Sequence, residues 1–338
     1  MAAYPPLSVL DPSPVFEGRT PRDALNETRA LAEAAEALGY RGFWVQEHHN
    51  APSFACTAPE ILIADLAART SRLKIGSGGV MLPNYSPLKV AEQFATLSAL
   101  HPGRIELGLG RATGADPRTS AALLGPGAQA FPQMLRMLID WLQDASAEVP
   151  IPDTHRARGI HAQPAGERPD IWLLASSAES AALAGAMGLK LAYADFLNPG
   201  GGAKALAAYR AAFEPSLIAP EPYAAIALVT LAAPDREEAA RLGAPAAAWN
   251  IKRAQGRFAP FPGETETAAI LDEAGPAAVE YARSRSLSGT GEDVARGLKA
   301  LADTAGADEF HLLTIAPSLE TRIASLRLIA DAWRALAW

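Results

Sequence analysis

Eight strand patterns that alternate with helix patterns predict an α/β fold, specifically a closed (β/α)8 TIM barrel with an insertion after strand seven. A doubly wound sheet usually has about five to seven strands and one reversal of strand order, so eight units favour the barrel. Strands three and four also end in glycines, which let backbone approach a ligand where a side chain would block it. We therefore expect a ligand site at the carboxyl ends of the strands, where the βα loops of a barrel converge.

Apolar periodicity gives the elements in chain order. The predicted strands are residues 7–10, 42–45, 73–76, 104–109, 171–174, 189–193, 223–231 and 309–315. The predicted helices are residues 21–38, 58–70, 87–100, 131–142, 178–187, 202–213, 235–248, 291–304 and 319–336. Residues 144–169 lack this pattern and predict an extended surface connection.

A second stretch without a clear period, residues 249–287, follows strand seven on the functional side of the barrel. It predicts an irregular insertion, which is either a mobile lid or a segment without a role in function. We interpret residues 1–338 as one domain that includes this insertion.

The composition excludes several classes of function. The chain has 30 basic and 37 acidic residues and no run of Lys or Arg, which argues against a nucleic-acid partner. Its longest apolar run, residues 224–233, has about half the length of a membrane-spanning helix. The lone Cys56 cannot form an internal disulfide, and the first residues lack the basic and apolar regions of a signal peptide. We therefore expect a cytoplasmic protein without a membrane span.

Three ionisable residues, Glu47, His48 and His49, follow predicted strand two. Neighbouring side chains of an extended chain point to opposite faces, and no His-x-His or His-x-x-x-His motif occurs, so we predict no metal site. One histidine at the barrel mouth is well placed as an acid or base, because imidazole titrates near neutrality. We expect the other histidine to pack or to form a hydrogen bond.

Strand four predicts two different faces. The face that should pack against helices consists of Ile105, Leu107 and Leu109, and the inner face consists of Glu106, Gly108 and Gly110. Glycines on an inner face remove core volume, which predicts that a planar group fills the space. We expect Glu106 to form a structural ion pair and His101, at the opposite rim, to be structural.

The turn after strand five, residues 175–180, carries hydroxyls beside the amino terminus of a helix. Free N–H groups at such a terminus bind phosphate, although an ordinary serine N-cap would explain the same residues. Arg111 follows strand four and would supply a cation at the same rim. The turn and Arg111 together predict a phosphate site.

Five segments form a combined motif along nearly the whole chain. They are, in order, EHHNAPSF, GSGGVMLPNYSPLKVAEQF, PGRIELGLGRATGADP, WLLASSAESA and SGTGEDVARGLKAL. Their combination resembles the bacterial luciferase-like flavin-dependent monooxygenases. The resemblance implies reduced FMN in the barrel mouth, supplied by a separate NAD(P)H:flavin reductase, and O2 that forms a flavin hydroperoxide. The implied reaction is oxygenation of a small organic substrate, aldehyde-like or other.

The resemblance also implies roles for individual residues. His48, the first histidine of EHH, acts near the flavin and the substrate. Gly78 and Gly79 match a non-proline cis peptide under the flavin ring. The implied flavin-binding residues are Gly78, Gly79, Gly110, Arg111, Ser176, Ser177 and Ser180.

Some residues limit this inference. Tyr85 stands where the closest branch of the family has histidine, so a second proton-transfer group is either absent or a phenol. Tyr85 and Trp249 are candidates for contact with the substrate. Trp249 and Phe258 are candidates for a hydrophobic wall or for buried packing. We expect Cys56 to be a packing residue rather than a nucleophile.

The resemblance leaves two alternatives open. Related barrels use the deazaflavin F420, so an F420-dependent oxidoreductase is the alternative within enzymes. A flavin-binding relative without turnover is the alternative outside them. We also expect a homodimer, because helices two and three form a dimer face in the family and Ala64, Ala67 and Ala68 would allow close packing.

Overall fold

The computed structural model describes residues 4–123, 125 and 127–336, and its strands form a closed parallel barrel. Eight strands close it: β1 (Leu7–Asp11), β2 (Gly42–Val45), β3 (Lys74–Met81), β4 (Ile105–Gly110), β5 (Asp170–Ala175), β6 (Lys190–Ala194), β7 (Ala224–Ala232) and β9 (Glu309–Leu313). Closure follows from the pairing of β1 with β9 and of β6 with β7. The predicted fold class is confirmed.

An additional strand, β8 (Ser286–Gly289), lies outside this ring. The first half of β7 pairs with β9, whereas its last residues, from Val229 to Ala232, pair with β8. The sheet is therefore extended on the side of the mouth, next to the insertion.

Twelve helices cover the barrel in the described part of the chain. They are α1 (Pro21–Ala37), α2 (Pro59–Arg69), α3 (Pro87–Leu100), α4 (Pro117–Ala122), α5 (Phe131–Ala145), α6 (Ala178–Ala186), α7 (Gly202–Ala211), α8 (Arg236–Ala254), α9 (Glu264–Ala274), α10 (Pro276–Ser284), α11 (Gly291–Ala305) and α12 (Leu319–Ala335). Capping boxes begin α1, α6 and α11, where a Thr or Ser accepts from the third backbone N–H of the helix. None of these helices is both long and apolar enough to cross a membrane.

The insertion is more regular than the sequence pattern predicts. α8 continues past its predicted end at residue 248 to Ala254, and α9, α10 and β8 fill most of residues 255–289. The expectation of an irregular segment is therefore wrong. Local signals explain the helices better than periodicity does: Glu264 and Glu266 occupy the first turn of α9, and Pro276 is the first residue of α10.

The inner glycines of β3 and β4 lie against Trp44. A Cβ added at Gly76 would lie 2.6 Å from Trp44 Nε1, and one added at Gly78 or Gly108 would lie 3.1 or 3.2 Å from the same indole ring. Ile105, Leu107 and Leu109 pack in the layer between strands and helices, as predicted. The Trp44 indole therefore fills part of the space that these glycines leave, while Gly78 and Gly110 also line a cavity.

β3 is longer than predicted and includes an unusual peptide bond. It continues from Lys74 to Met81, whereas the sequence pattern ends the strand at residue 76. The peptide bond between Gly78 and Gly79 is cis, as the family resemblance implies.

A buried polar layer closes the amino end of the barrel. Arg41 donates to Glu106 at 2.9 Å and to Glu309 at 3.1 Å. Trp44 Nε1 donates to Glu106 at 2.6 Å, and the Tyr223 hydroxyl donates to Glu309 at 2.9 Å. Both carboxylates are fully buried and ion-paired, so the structural role predicted for Glu106 is confirmed.

Candidate active site

Two adjoining cavities lie at the carboxyl ends of the barrel strands. The first cavity has a volume of about 470 Å³ and the second a volume of about 780 Å³. The residues that line both, and so form their boundary, are Gln46, His48, Gly114, Phe196 and Leu197. Loops that are distant in sequence therefore meet here, as a barrel predicts.

The first cavity combines an apolar wall with a polar end. Inward-facing barrel residues form the wall: Leu10, Trp44, Leu174, Ala192, Ala227 and His311. Arg111, which follows β4, and Ser176 and Ser180, around the start of α6, form the polar end. Gly78 and Gly110 also line the cavity. The structure thus brings together most of the residues that the resemblance assigns to a flavin.

Two residues of the predicted flavin site lie behind the cavity wall. Ser177 caps α6, where its hydroxyl accepts from Ser180 N at 3.2 Å. A Cβ added at Gly79 would lie 2.4 Å from Leu174 Cδ1 and 2.6 Å from Gly108 O, so Gly79 faces neighbouring chain. The structure therefore does not place Ser177 or Gly79 in the lining of the first cavity.

His48 lies between the two cavities. Its backbone N–H donates to Cys56 O at 3.1 Å, and its ring centroid lies 4.5 Å from that of Phe54. Nδ1 is buried and has no hydrogen-bond partner among the described residues. Burial, followed by the charge of His49, lowers the pKa of His48 to about 4. His48 is therefore neutral at pH 7, and its tautomer determines whether Nδ1 donates or accepts.

The Glu47 carboxylate ties the end of β2 to the segment after β3. It accepts from Met81 N at 2.9 Å, from Asn84 Nδ2 at 3.1 Å and from His49 Nε2 at 2.8 Å. The prediction that the second histidine of the pair forms a hydrogen bond is confirmed. Glu47 positions the loop that carries His48.

Tyr85 belongs to the same group of hydrogen bonds. Its hydroxyl donates to Glu47 at 2.9 Å, and burial, followed by the charge of Glu47, raises the pKa of the phenol. Tyr85 lines neither cavity. The structure therefore gives Tyr85 a role in positioning Glu47.

Aromatic side chains form a wall of the second cavity. The rings of Phe54, Trp249 and Phe261 contact one another with centroids 5.0 to 5.8 Å apart. Trp249 Nε1 donates to Ser53 Oγ at 2.8 Å, which fixes the indole. Phe258 also lines the cavity, although 64% of its surface is exposed. Trp249 and Phe258 thus lie together in the predicted location.

The lining residues that sequence reasoning missed include Gln46, Phe196, Leu197 and His311. Strand alternation could have identified two of them, because Gln46 shares a face with Trp44 and His48, and His311 shares one with Glu309. Phe196 and Leu197 follow β6 in a short loop without a motif. His311 Nδ1, like His48 Nδ1, is buried without a partner in the part of the chain that the structure describes.

The structure gives no support for a cysteine nucleophile at Cys56 or for a metal site at the histidine pair. Cys56 is buried, and burial raises the pKa of its thiol, which suits a packing residue. Within residues 4–123, 125 and 127–336, no group of three or more His, Cys, Asp or Glu side chains is arranged to hold a metal ion.

Comparison with known proteins places this geometry in a family. The model of the luciferase-like monooxygenases matches residues 6–309. The chain belongs to this family. The luciferase-like monooxygenase of Escherichia coli K12 is 37% identical over 331 residues, which cover 96% of both proteins. N-acetyl-S-alkylcysteine monooxygenase of Bacillus subtilis is 36% identical over 332 residues, which cover 96% of this chain and 97% of that protein.

Several solved structures are similar to this chain in fold. Apo-MsnO8 matches with a TM-score of 0.87 and 36% identity, over 99% of this chain and all of that chain. The oxygenating constituent of 3,6-diketocamphane monooxygenase from Pseudomonas putida, in complex with FMN, matches with a TM-score of 0.71 and 20% identity, over 98% of this chain and 99% of that chain. An F420-dependent secondary alcohol dehydrogenase matches with a TM-score of 0.65 and 18% identity, over 98% of this chain and all of that chain. The last two show a shared fold.

Proposed function

We propose that the chain is an FMN-dependent monooxygenase that uses reduced FMN and O2 to oxygenate a small organic substrate. One observation carries the proposal: a cavity with a cationic, hydroxyl-bearing end adjoins an aromatic cavity, and a neutral histidine lies at their boundary. The first cavity would hold the flavin and the second the substrate. Reduced FMN, when bound, would supply the electrons that activate O2.

The donor groups of the first cavity suit FMN. Arg111 and the hydroxyls of Ser176 and Ser180 beside the start of α6 are suited to a phosphate dianion. Leu10, Trp44 and Leu174 offer apolar contact to a ring system. The partnerless Nδ1 atoms of His48 and His311 are buried and would gain hydrogen bonds from polar ring atoms.

His48 would move a proton at Nδ1 between the two compartments. A neutral imidazole exchanges a proton with a bound group without leaving a buried charge in the resting site. Phe54 packs beside the ring and, with Trp249, limits the access of water to it. Glu47 holds the preceding strand end in place through its hydrogen bonds.

The sequence relationships favour the monooxygenase over an F420-dependent reaction. Identity is 36 and 37% to two proteins named as monooxygenases and 18% to the F420-dependent alcohol dehydrogenase. A flavin-binding protein without turnover is disfavoured by the second compartment, which has the size and the walls of a substrate site.

Partners and location belong to the same proposal. We propose a separate NAD(P)H:flavin reductase, a cytoplasmic location and a homodimer. Ala67 is 1% exposed and packs within the chain, so it cannot contribute to a dimer face, whereas Ile61 on the same helix is 69% exposed. A dimer through α2 would therefore use Ile61 and Ala68 rather than Ala67.

We also propose that the insertion closes over the substrate compartment. Residues 255–263 join α8 to α9 and carry the exposed Phe258 at the cavity edge. Limited proteolysis with and without FMN tests this, with slower cleavage expected in the complex. Equal cleavage rates would contradict closure.

An oxygen-labelling assay tests the function. The chain is supplied with NADH, a flavin reductase, FMN and ¹⁸O₂, and a panel of aldehydes and thioethers is followed by mass spectrometry. We expect a product that contains one heavy oxygen atom and requires the chain. Substrate reduction or oxidation that needs F420 and proceeds without O2 would contradict the proposal.

A further inference from the structure

We propose that the substrate is an organic anion, an apolar molecule that carries a carboxylate, and that Arg253 and Arg285 bind this carboxylate in the second cavity. The inference rests on the proposed function, since it takes the second cavity as the substrate compartment. It adds a chemical class and an orientation for that substrate.

The second cavity contains two arginines that form no ion pair within the described part of the chain. Arg253 and Arg285 both line it, and neither forms an ion pair with a carboxylate of the described residues. Asp116 lines the same cavity, but its carboxylate caps α4 by accepting from Arg118 N at 2.9 Å and Thr119 N at 3.1 Å. Two arginines without an ion pair thus line a largely apolar chamber: Arg285 is half-buried and feels the charge of Asp195, and Arg253 is exposed.

Arg285 is anchored at the boundary of the two cavities. Its Nη2 donates to Phe196 O at 2.6 Å and its Nη1 donates to Tyr281 Oη at 3.3 Å. Phe196 lines both cavities. A guanidinium has five N–H donors, so the two bonds fix the group and leave three donors for a ligand.

Arg253 is held along the aromatic wall. Its guanidinium carbon lies 5.5 Å from the centre of the Trp249 ring, which is within the range of a cation–π contact. Trp249 is itself fixed by its hydrogen bond to Ser53. The guanidinium of Arg253 is therefore held at the cavity by an aromatic ring and forms no ion pair with a described residue.

These groups specify the two halves of a ligand. The rings of Phe54, Trp249 and Phe261 take an apolar body, and guanidinium groups suit the planar, two-oxygen geometry of a carboxylate. Both arginines belong to the insertion, on α8 and just before β8, whereas His48 follows the barrel strand β2. The carboxylate should therefore point toward the insertion and the reacting atom toward His48.

A matched pair of ligands tests the proposal. The probes are 5-phenylpentanoate and 5-phenylpentanamide, which differ in charge and little in shape, and binding is measured by calorimetry on the chain saturated with FMN. We expect the carboxylate to bind about ten-fold or more tightly than the amide, since hydrogen bonds to charged groups are the strong ones. This preference should fall to within about three-fold in Arg253→Met/Arg285→Met, with little change for the amide.

Control variants separate this effect from a general loss of charge or fold. Arg257→Met and Arg283→Met remove arginines of the same segment that line neither cavity, and they should keep the preference. Arg285→Met also removes a bond to Phe196 O, so Arg253→Met, which breaks no backbone contact, is measured alone and should lose part of the preference.

Three results would overturn the proposal. They are equal affinity of the wild-type chain for both probes, retention of the preference in the double variant, and loss of discrimination between FMN and riboflavin in the double variant. The last result would assign the arginines to the phosphate of the cofactor. Failure of the proposed function is seen separately, as absence of labelled product in the ¹⁸O₂ assay while the carboxylate preference persists.

Discussion

The two ends of the barrel carry similar polar side chains, which are paired with other side chains at the amino end and lack such partners at the mouth. At the amino end Arg41 lies between Glu106 and Glu309, and each carboxylate also accepts from a further side chain. At the mouth Arg111 has no ion pair with any described residue, and His48 Nδ1 is buried without a partner. The buried charges of the amino end are thus paired within the protein, whereas the mouth keeps one buried histidine nitrogen without a partner and one exposed arginine without an ion pair.

This contrast separates stability from function. Removing the partner of a buried charge destabilises the fold. A polar group at a cavity that has no protein partner is instead available to a ligand, which forms the missing hydrogen bond when it binds. The pKa of Glu309 shows the first case: burial alone would raise it, but the hydrogen bond and charge of His311, followed by the charge of Arg41, lower it to about 2. Substitutions at the two ends should therefore change different observables.

The largest effect is expected at the mouth, in the activity of a His48→Gln variant. Loss of a positioned acid or base should reduce the rate of oxygenation about 100- to 10,000-fold, while FMN affinity stays within a few-fold. His101→Gln, on the opposite rim, is the matched control and should keep full activity. Reductase-coupled assays measure both, and a His48→Gln rate close to wild type would remove His48 from the mechanism.

The next effect is on stability and belongs to the amino end. Arg41→Met removes the cation paired with the buried Glu106 and one of the two positive groups beside the buried Glu309, and it should lower the free energy of unfolding by about 3 to 5 kcal/mol. Arg111→Met should change it by less than about 0.5 kcal/mol, because Arg111 is exposed and unpaired. Urea unfolding compares the two. Equal losses in the free energy of unfolding for the two variants would mean that the arginine of the amino end stabilises the fold no more than the arginine of the mouth.

Arg111→Met should instead weaken cofactor binding. Loss of a charge-assisted phosphate contact is expected to reduce FMN affinity about 10- to 100-fold and to leave riboflavin affinity unchanged. Arg118→Met, which removes an arginine of α4 that lines neither cavity, should affect neither ligand. Flavin fluorescence measures these affinities. A parallel loss of FMN and riboflavin binding would show that Arg111 acts on the fold of the mouth.

The smallest effect concerns pH and again involves His48. Its pKa is about 4 in the folded chain and about 6.5 in an unfolded one, so between these values the unfolded state binds a proton that the folded state does not. Stability should therefore fall as pH falls through this window, with His48 contributing about 1 to 2 kcal/mol between pH 7 and pH 5. His48→Gln should lose this component in urea unfolding at the two pH values. An unchanged pH dependence would mean that His48 is not buried in its neutral form.

The barrel and the first cavity could be predicted from the sequence because local signals determine them. Alternation of strands and helices gives the barrel, and the glycine and serine turns at strand ends give Gly78, Arg111, Ser176 and Ser180. A barrel brings such turns to one rim whatever lies between them. The alternation of strands and helices in the sequence therefore predicts where this cavity lies.

The remaining features depend on tertiary contacts. Trp44 fills the space left by Gly76, Gly78 and Gly108, and no sequence pattern shows which indole reaches which glycine. Tyr85 turns to Glu47 rather than to the cavity because a buried carboxylate requires donors. Arg285 comes from the insertion, whose helices depend on end signals that periodicity does not include.

A crystal structure of the chain with FMN tests most directly the claim that the unpaired groups of the mouth are completed by the cofactor. The account predicts the phosphate within hydrogen-bonding distance of Arg111 and the start of α6, with the ring in the first cavity beside His48. A phosphate bound instead to Arg253 and Arg285, with the ring in the second cavity, would contradict it.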